Sequence, residues 1–173
     1  QYFTWKLIGA QEALVPYVPV SPNVLRRDKA GYGVDERKEP LRMGEGKGKA
    51  WWPSPVQLVK RPVWVIEATA KDPKYAYGRQ VLWIDRELYT AYYKEAYNRA
   101  GQLWRILLNS VTVMRTPEGD LSLAQPDFTL SVDELQQRAT VELPARSNGR
   151  PTRFSTGFSD RQFNATSLMQ RGK

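Results

Sequence analysis

The sequence predicts a mainly β protein built on an antiparallel sheet, and three observations carry that prediction. Apolar residues between Pro62 and Val113 recur with period two rather than 3.6, the spacing of a strand whose alternate side chains share a face. The same stretch is crowded with β-branched and aromatic residues, which fit a pleated surface. Turn-forming clusters interrupt it at short intervals, in keeping with 12 Gly and 12 Pro among 173 residues.

The elements follow in order. Val63 to Thr69 is almost wholly β-branched or aromatic and forms a largely buried strand, ended at Lys71-Asp72-Pro73-Lys74 because Pro73 has no N–H for a ladder. Arg79 to Ile84 is the next strand, with Val81 and Trp83 on one face and Leu82 and Ile84 on the other. Asp85-Arg86-Glu87 is a polar turn. Leu88 to Tyr97 admits two readings. Leu88, Tyr92 and Ala96 lie on an i, i+4 line that suits a helix, whereas Tyr89, Ala91, Tyr93 and Tyr97 alternate; tyrosine favours the strand. Asn98-Arg99-Ala100-Gly101 tolerates positive φ and closes a hairpin onto Gln102 to Val113. Thr116 to Asp120 is a second such turn. Short strands are predicted at Leu121 to Ala124 and Ala139 to Leu143. Ser131-Val132-Asp133-Glu134 has the pattern of a capping box and predicts a short helix through Arg138.

Residues 1–173 read as one domain, since a chain of this size removes roughly 70% of its unfolded surface from water. Val20 to Pro55 break every periodicity, so 21–55 is predicted as a long, basic, mobile loop or lid. Residues 147–173 form a basic tail that Phe154, Phe158, Phe163 and Leu168 would anchor on the sheet. The chain opens at Gln1 with no Met or apolar leader, and no apolar run approaches the ~18 residues that span a bilayer; it reads as a soluble piece of something longer.

Histidine and cysteine are both absent, which excludes the usual Cys/His zinc site, an imidazole proton shuttle and a thiolate nucleophile. No cofactor or metal is implied, and no catalytic centre stands out. The net charge of +8 is concentrated outside the aromatic middle: residues 21–60 carry 9 basic and 5 acidic residues, 144–173 carry 6 and 1, and the remainder is close to neutral. Nucleic-acid binding needs cations interleaved with stacking aromatics, and here the two are separated, so no nucleic-acid partner is expected. A basic tail in peripheral contact with anionic phospholipid is easier to support. Gly44-Glu45-Gly46-Lys47-Gly48-Lys49 lacks the spacing and the Ser/Thr of a phosphate loop and reads as a linker. Glu67, Asp85, Glu87 and Glu95 would supply paired carboxylates only if two faced one cleft; solvated strand ends explain them more simply.

The aromatic residues are the candidate site. Trp64, Trp83 and Trp104 fall on successive predicted strands, and one sheet surface would gather them with Tyr93 and Tyr97 into a hydrophobic ligand-binding face. The competing reading is an ordinary packed core, since each tryptophan can bury ~150–250 Å².

Three ordered blocks carry a resemblance: Trp64 to Thr69, Tyr75 to Asp85, and Gly101-Gln102-Leu103-Trp104-Arg105. Together they resemble a proteobacterial family of uncharacterised periplasmic proteins similar to the outer-membrane lipoprotein-sorting carriers. The opening Trp5-Lys6-Leu7-Ile8-Gly9 and Val15-Pro16-Tyr17 are similar as well, while the ending Phe163 to Lys173 is a degenerate form of the family's basic C-terminus. Members are about twice this length or more, so the resemblance makes this chain the C-terminal part of a longer half-barrel protein. It implies a curled antiparallel sheet, a lipoprotein-carrier-like half-barrel with short helices and a long basic loop, that holds an acyl chain or other apolar molecule on its concave side. The implied function is non-enzymatic: a periplasmic or outer-membrane-associated protein that binds or carries a lipid or hydrophobic small molecule, with an envelope protein as a further partner. The alternative is a structural or interaction module whose aromatic sheet buries against a partner or the missing N-terminal half.

Overall fold

The computed structural model describes residues 2–18, 25–28, 31–34, 42–43, 51–54, 56–119, 122–142 and 153–154, with Asn164, Thr166 and Met169. The strands among them are β1 Phe3–Val18, β2 Leu25–Asp28, β3 Gly31–Val34, β4 Arg42–Met43, β5 Pro53–Ser54, β6 Leu58–Ala70, β7 Tyr77–Asp85, β8 Ala91–Asn98, β9 Leu103–Arg115, β10 Ser122–Asp133, β11 Arg138–Glu142 and β12 Arg153–Phe154. Seven of them form one sheet in the order β1-β6-β7-β8-β9-β10-β11, each antiparallel to its neighbours. Two small sheets, β12-β3-β2 and β4-β5, are separate from it in hydrogen bonding.

The main sheet is curled without closing into a barrel. In a flat sheet β1 and β9 would lie four strand spacings apart, ~19 Å. Instead the last residues of β1 pair in parallel with β9, Tyr17 with Val111 and Val18 with Thr112. The inside of this pinched end is packed with Val15, Tyr17, Val63, Tyr92, Val111 and Val113, against which Trp83, Tyr93 and Leu88 rest. A second cluster, Leu108, Phe128, Leu130 and Val132, is covered by Trp51 and Val56. Each such side chain removed from water stabilises the fold by ~1.5–3 kcal/mol.

The meander forms for the reasons read from the sequence. Gly101 at φ 79° lets the Asn98 N–H reach the Gln102 carbonyl at 3.0 Å, closing the β8–β9 hairpin. Gly119 at φ 75° does the same after β9, donating to the Thr116 carbonyl at 3.0 Å.

Four expectations need correction. The helix through Arg138 is absent: Ser131 to Asp133 finish β10, and residues 134–137 form a tight turn in which the Asp133 carboxylate accepts the Gln136 N–H at 2.9 Å and Gln137 takes φ 49°. Alternate burial of Phe128, Leu130 and Val132 outweighs the local capping pattern. The short strand predicted at Leu121 to Ala124 is instead the start of a 12-residue strand that begins at Ser122, Leu121 lying outside the described residues. Asp85, read as a solvated strand end, is fully buried. Finally, β1, 16 residues long, had no predicted counterpart. Of the loop 21–55, the described parts include the β2–β3 hairpin; Gly44 to Lys49 lie outside the described residues, as do Phe158, Phe163 and Leu168. Phe154 lies in β12 and pairs with Tyr32 of β3. Helical backbone among the described residues is limited to Thr166 and Met169.

Candidate functional site

Directly opposed residues on neighbouring strands share a face, so the registers sort the aromatic side chains. Val65 opposes Trp83, Trp83 opposes Tyr93, and Tyr93 opposes Leu108. The Trp83 and Tyr93 rings meet edge to face at 6.3 Å, and the Tyr93 hydroxyl donates to the Leu14 carbonyl at 2.6 Å. Burial pushes the Tyr93 phenol up. Tyr97 stands on the same side, where Arg79 lies 4.0 Å over its ring and donates to Glu67 at 3.2 Å. The Tyr97 hydroxyl donates to Glu95 at 2.5 Å, and that bond, with burial, raises its pKa. Trp83 and Tyr93 therefore belong to the packed interior, and Tyr97 to a charged cluster beside it.

Trp64 faces the other way, because it opposes Ile84, one residue out of phase with the Val65–Trp83 pair. Trp104 sits where β9 slips register against β8, between the Ala96–Arg105 and Tyr97–Leu103 pairs, and its indole N–H donates to Asp133 at 3.1 Å. The three tryptophans thus do not share one surface, a correction to the sequence reading that follows from strand parity.

The Trp64 face carries an apolar surface. Leu7, Ile66 and Leu82 lie side by side on β1, β6 and β7, as do Ala10, Trp64 and Ile84. Trp5 and Leu7 are 59% and 60% exposed, while Trp64, Ile66, Leu82, Ile84 and, on β9, Leu107 are half-buried. In the adjacent row of the same face Ala68, Gln80 and Ala96 are buried across β6, β7 and β8. Contiguous apolar patches that stay partly open to water are the kind of surface that partners, lipids or ligands cover. Lys94, opposed to Leu82 and Leu107, puts a cation within it; desolvation lowers its pKa, and its ammonium stands 5.7 Å from the Tyr77 ring.

An aromatic chain borders this face. Trp5 meets Phe3 at 5.8 Å, Phe3 meets Tyr75 at 5.2 Å, Tyr75 meets Tyr77 at 5.8 Å, and Tyr77 meets Trp104 at 5.4 Å. At the other end Tyr89 packs on Trp64 at 5.9 Å, with the Arg86 guanidinium 5.8 Å above the indole. Sequence reasoning missed Trp5, Leu7 and Lys94; the signal for the first two was the apolar opening of the chain, and for Lys94 a cation inside a tyrosine-rich strand.

The turn that presents Arg86 and Tyr89 is held by the buried Asp85 carboxylate. It accepts from Arg61 Nε at 2.9 Å and Nη2 at 3.0 Å, from the Glu87 and Leu88 N–H groups at 2.8 and 2.9 Å, and from the Tyr92 hydroxyl at 2.9 Å. Burial alone would raise the Asp85 pKa, but these donors, Arg61 first, hold it below the usual carboxylate value. Among the described residues no group of three or more His, Cys, Asp or Glu is placed to hold a metal, and no helix is long and apolar enough to cross a membrane.

No curated protein matches the chain. A solved structure from Vibrio parahaemolyticus, described as an outer membrane lipoprotein-sorting protein domain, is similar at 24% identity and a TM-score of 0.44, over 62% of this chain and 42% of that one. A DUF1329 family protein from Desulfovibrio piger is similar at 18% identity and a TM-score of 0.42, over 62% and 41%. The chain spans about two fifths of the length of either structure. A family model described as protein of unknown function (DUF1329) matches residues 1–169, and the chain belongs to that family.

Proposed function

We propose that the chain is a non-enzymatic protein of the bacterial envelope, periplasmic or outer-membrane-associated, that binds or carries a lipid or other hydrophobic molecule on its Trp64 face. The observation that carries this reading is the open apolar surface built from Trp5, Leu7, Trp64, Ile66, Leu82, Ile84 and Leu107. Burying ~10 methylenes there would contribute ~8 kcal/mol gross, enough for useful affinity before ordering costs. In this reading Trp64 contacts the ligand and Trp104 flanks it, while Trp83, Tyr93 and Tyr97 stiffen the sheet from its other side. The chain acts as the C-terminal part of a longer half-barrel protein.

A second reading, an interaction module, is favoured by β1: among the described residues its outer edge is unpaired from Phe3 to Pro16, with Trp5, Leu7, Ile8 and Leu14 exposed. Native mass spectrometry of gently purified protein, followed by lipid extraction, separates the two. The carrier reading expects a monomer holding an apolar species, lost in Leu82→Glu without change in the circular dichroism. A ligand-free wild type that dimerises would overturn it in favour of the interaction module.

A further inference from the structure

The apolar face has a polar end. Successive cross-strand pairs join Leu7, Ile66, Leu82, Lys94, Leu107, Ser131 and Thr140 into one row from β1 to β11. The adjacent row ends in Arg105, Asp133 and Arg138 on β9, β10 and β11. Arg105, Ser131, Asp133, Gln136, Arg138 and Thr140 line a cavity of about 220 Å³ there. The grease and the cavity are therefore parts of one surface, with the Leu107–Ser131 pair as their boundary.

The charges in that cavity are unevenly committed. Asp133 accepts from the Trp104 indole and the Gln136 N–H, and its carboxylate forms an ion pair with Arg105 Nε at 3.5 Å. Burial by itself would raise the Asp133 pKa, but these donors hold it below the usual range, so it stays ionised and turned toward its own turn. Arg105 stacks over Trp104 at 5.0 Å, and its buried Nε, ion-paired with Asp133, has no hydrogen-bond partner among the described residues. Arg138 is exposed and touches the protein through the Gln136 side-chain oxygen. Counting Arg105, Arg138 and Lys94 against Asp133 leaves two positive charges over the two adjacent rows, about the charge of a phosphate monoester at neutral pH. Paired guanidinium groups are also the side chains best shaped to bind phosphate oxygens.

We propose that the ligand of the Trp64 face is a phosphate-bearing amphiphile, its acyl chain lying along Leu7, Ile66, Leu82 and Leu107 and its phosphate held by Arg105 and Arg138. This rests on the reading that the face takes a hydrophobic ligand, and it adds the head group. Lys94 lies between Leu82 and Leu107, one strand before the Leu107–Ser131 boundary, and adds a desolvated cation that an anionic amphiphile would help neutralise.

The test uses the whole chain with three probes, dodecyl phosphate, dodecyl maltoside and inorganic phosphate, titrated by intrinsic tryptophan fluorescence and native mass spectrometry. The wild type is expected to bind dodecyl phosphate about tenfold or more tightly than dodecyl maltoside, the scale of one charge-assisted hydrogen bond. Arg105→Gln with Arg138→Gln should erase that preference while leaving dodecyl maltoside affinity unchanged. Arg138→Gln alone, at an exposed position, should cut the preference several-fold even where the double variant misfolds. Equal affinities for the two amphiphiles, or a preference that survives Arg138→Gln and the folded double variant, overturns the head-group assignment and leaves the carrier reading standing. Inorganic phosphate binding as tightly as dodecyl phosphate overturns the amphiphile. Failure of both amphiphiles to bind overturns the carrier reading itself.

Discussion

Replacing Asp85 by Asn tests the frame beneath the proposed binding face. The carboxylate is fully buried and accepts five hydrogen bonds, three at Oδ1 and two at Oδ2. An amide nitrogen in place of either oxygen confronts at least two donors with another donor, and it leaves Arg61, whose side chain is 15% exposed, without its closest counter-charge. Removing one partner of a buried pair costs ~3–5 kcal/mol. Glu87 stays 2.8 Å from Arg61 but is 65% exposed, so it compensates only in part and the cost falls near ~3 kcal/mol. For a chain of this size that lowers Tm by about 6–12 °C at pH 7. The pH dependence has a definite sign. Asp85 has a depressed folded pKa, so its contribution is fully present above its unfolded value of 3.8 and is lost as pH falls through the folded pKa. Thermal melts followed by circular dichroism should therefore show the wild-type and Asp85→Asn curves well apart at pH 7 and converging below pH 4. An unchanged Tm at neutral pH, or a gap that persists undiminished in strong acid, would refute the reasoning.

Two further outcomes concern the sheet itself. Phe128→Ala, at a side chain 1% exposed in the second core cluster, should cost ~3–5 kcal/mol in urea unfolding. Gly101→Ala should cost ~1–2 kcal/mol from backbone strain alone, because the residue sits at φ 79° and nothing lies within 4 Å of an added Cβ; a neutral result in the same assay would mean the hairpin relaxes.

The central meander was legible because its signals are local. Alternation in β6 and β7, and the Asn98–Gly101 and Thr116–Gly119 turns, depend on neighbours in sequence and appear where the pattern puts them. In β8 the strand reading held over the helical one, although the strand begins at Ala91 and Tyr89 takes φ 54° in the preceding turn. Strand β1 escaped because the alternation of Phe3 to Leu7 is short and a register shift between Leu7 and Gly9 reverses its phase midway, so the two halves never add up to one pattern. Strand β10 was cut short for the same reason, with a shift between Pro126 and Phe128. The candidate site was legible in composition but not in geometry. Each strand's own alternation says that its residues divide into two sets, and only the register says which set joins which. Trp64 and Trp83 fall on opposite sides by a single residue of offset, which no local pattern encodes.

The parallel clasp between Tyr17 and Val111 joins positions 94 apart, 111 less 17, and it binds the first strand of the sheet to the fifth in line. As the polypeptide is made, Phe3–Val18 can pair with Leu58–Ala70 only once that later strand exists, and the curl can draw shut only once Leu103–Arg115 exists. Such distant closures make assembly slow, and meanwhile the unmet strand, with Trp5, Leu7 and Ile8 upon it, is a liability toward aggregation. The kink at Ile8 breaks that strand's straight rim, the kind of irregularity that discourages a stranger from adding itself before the proper partner arrives.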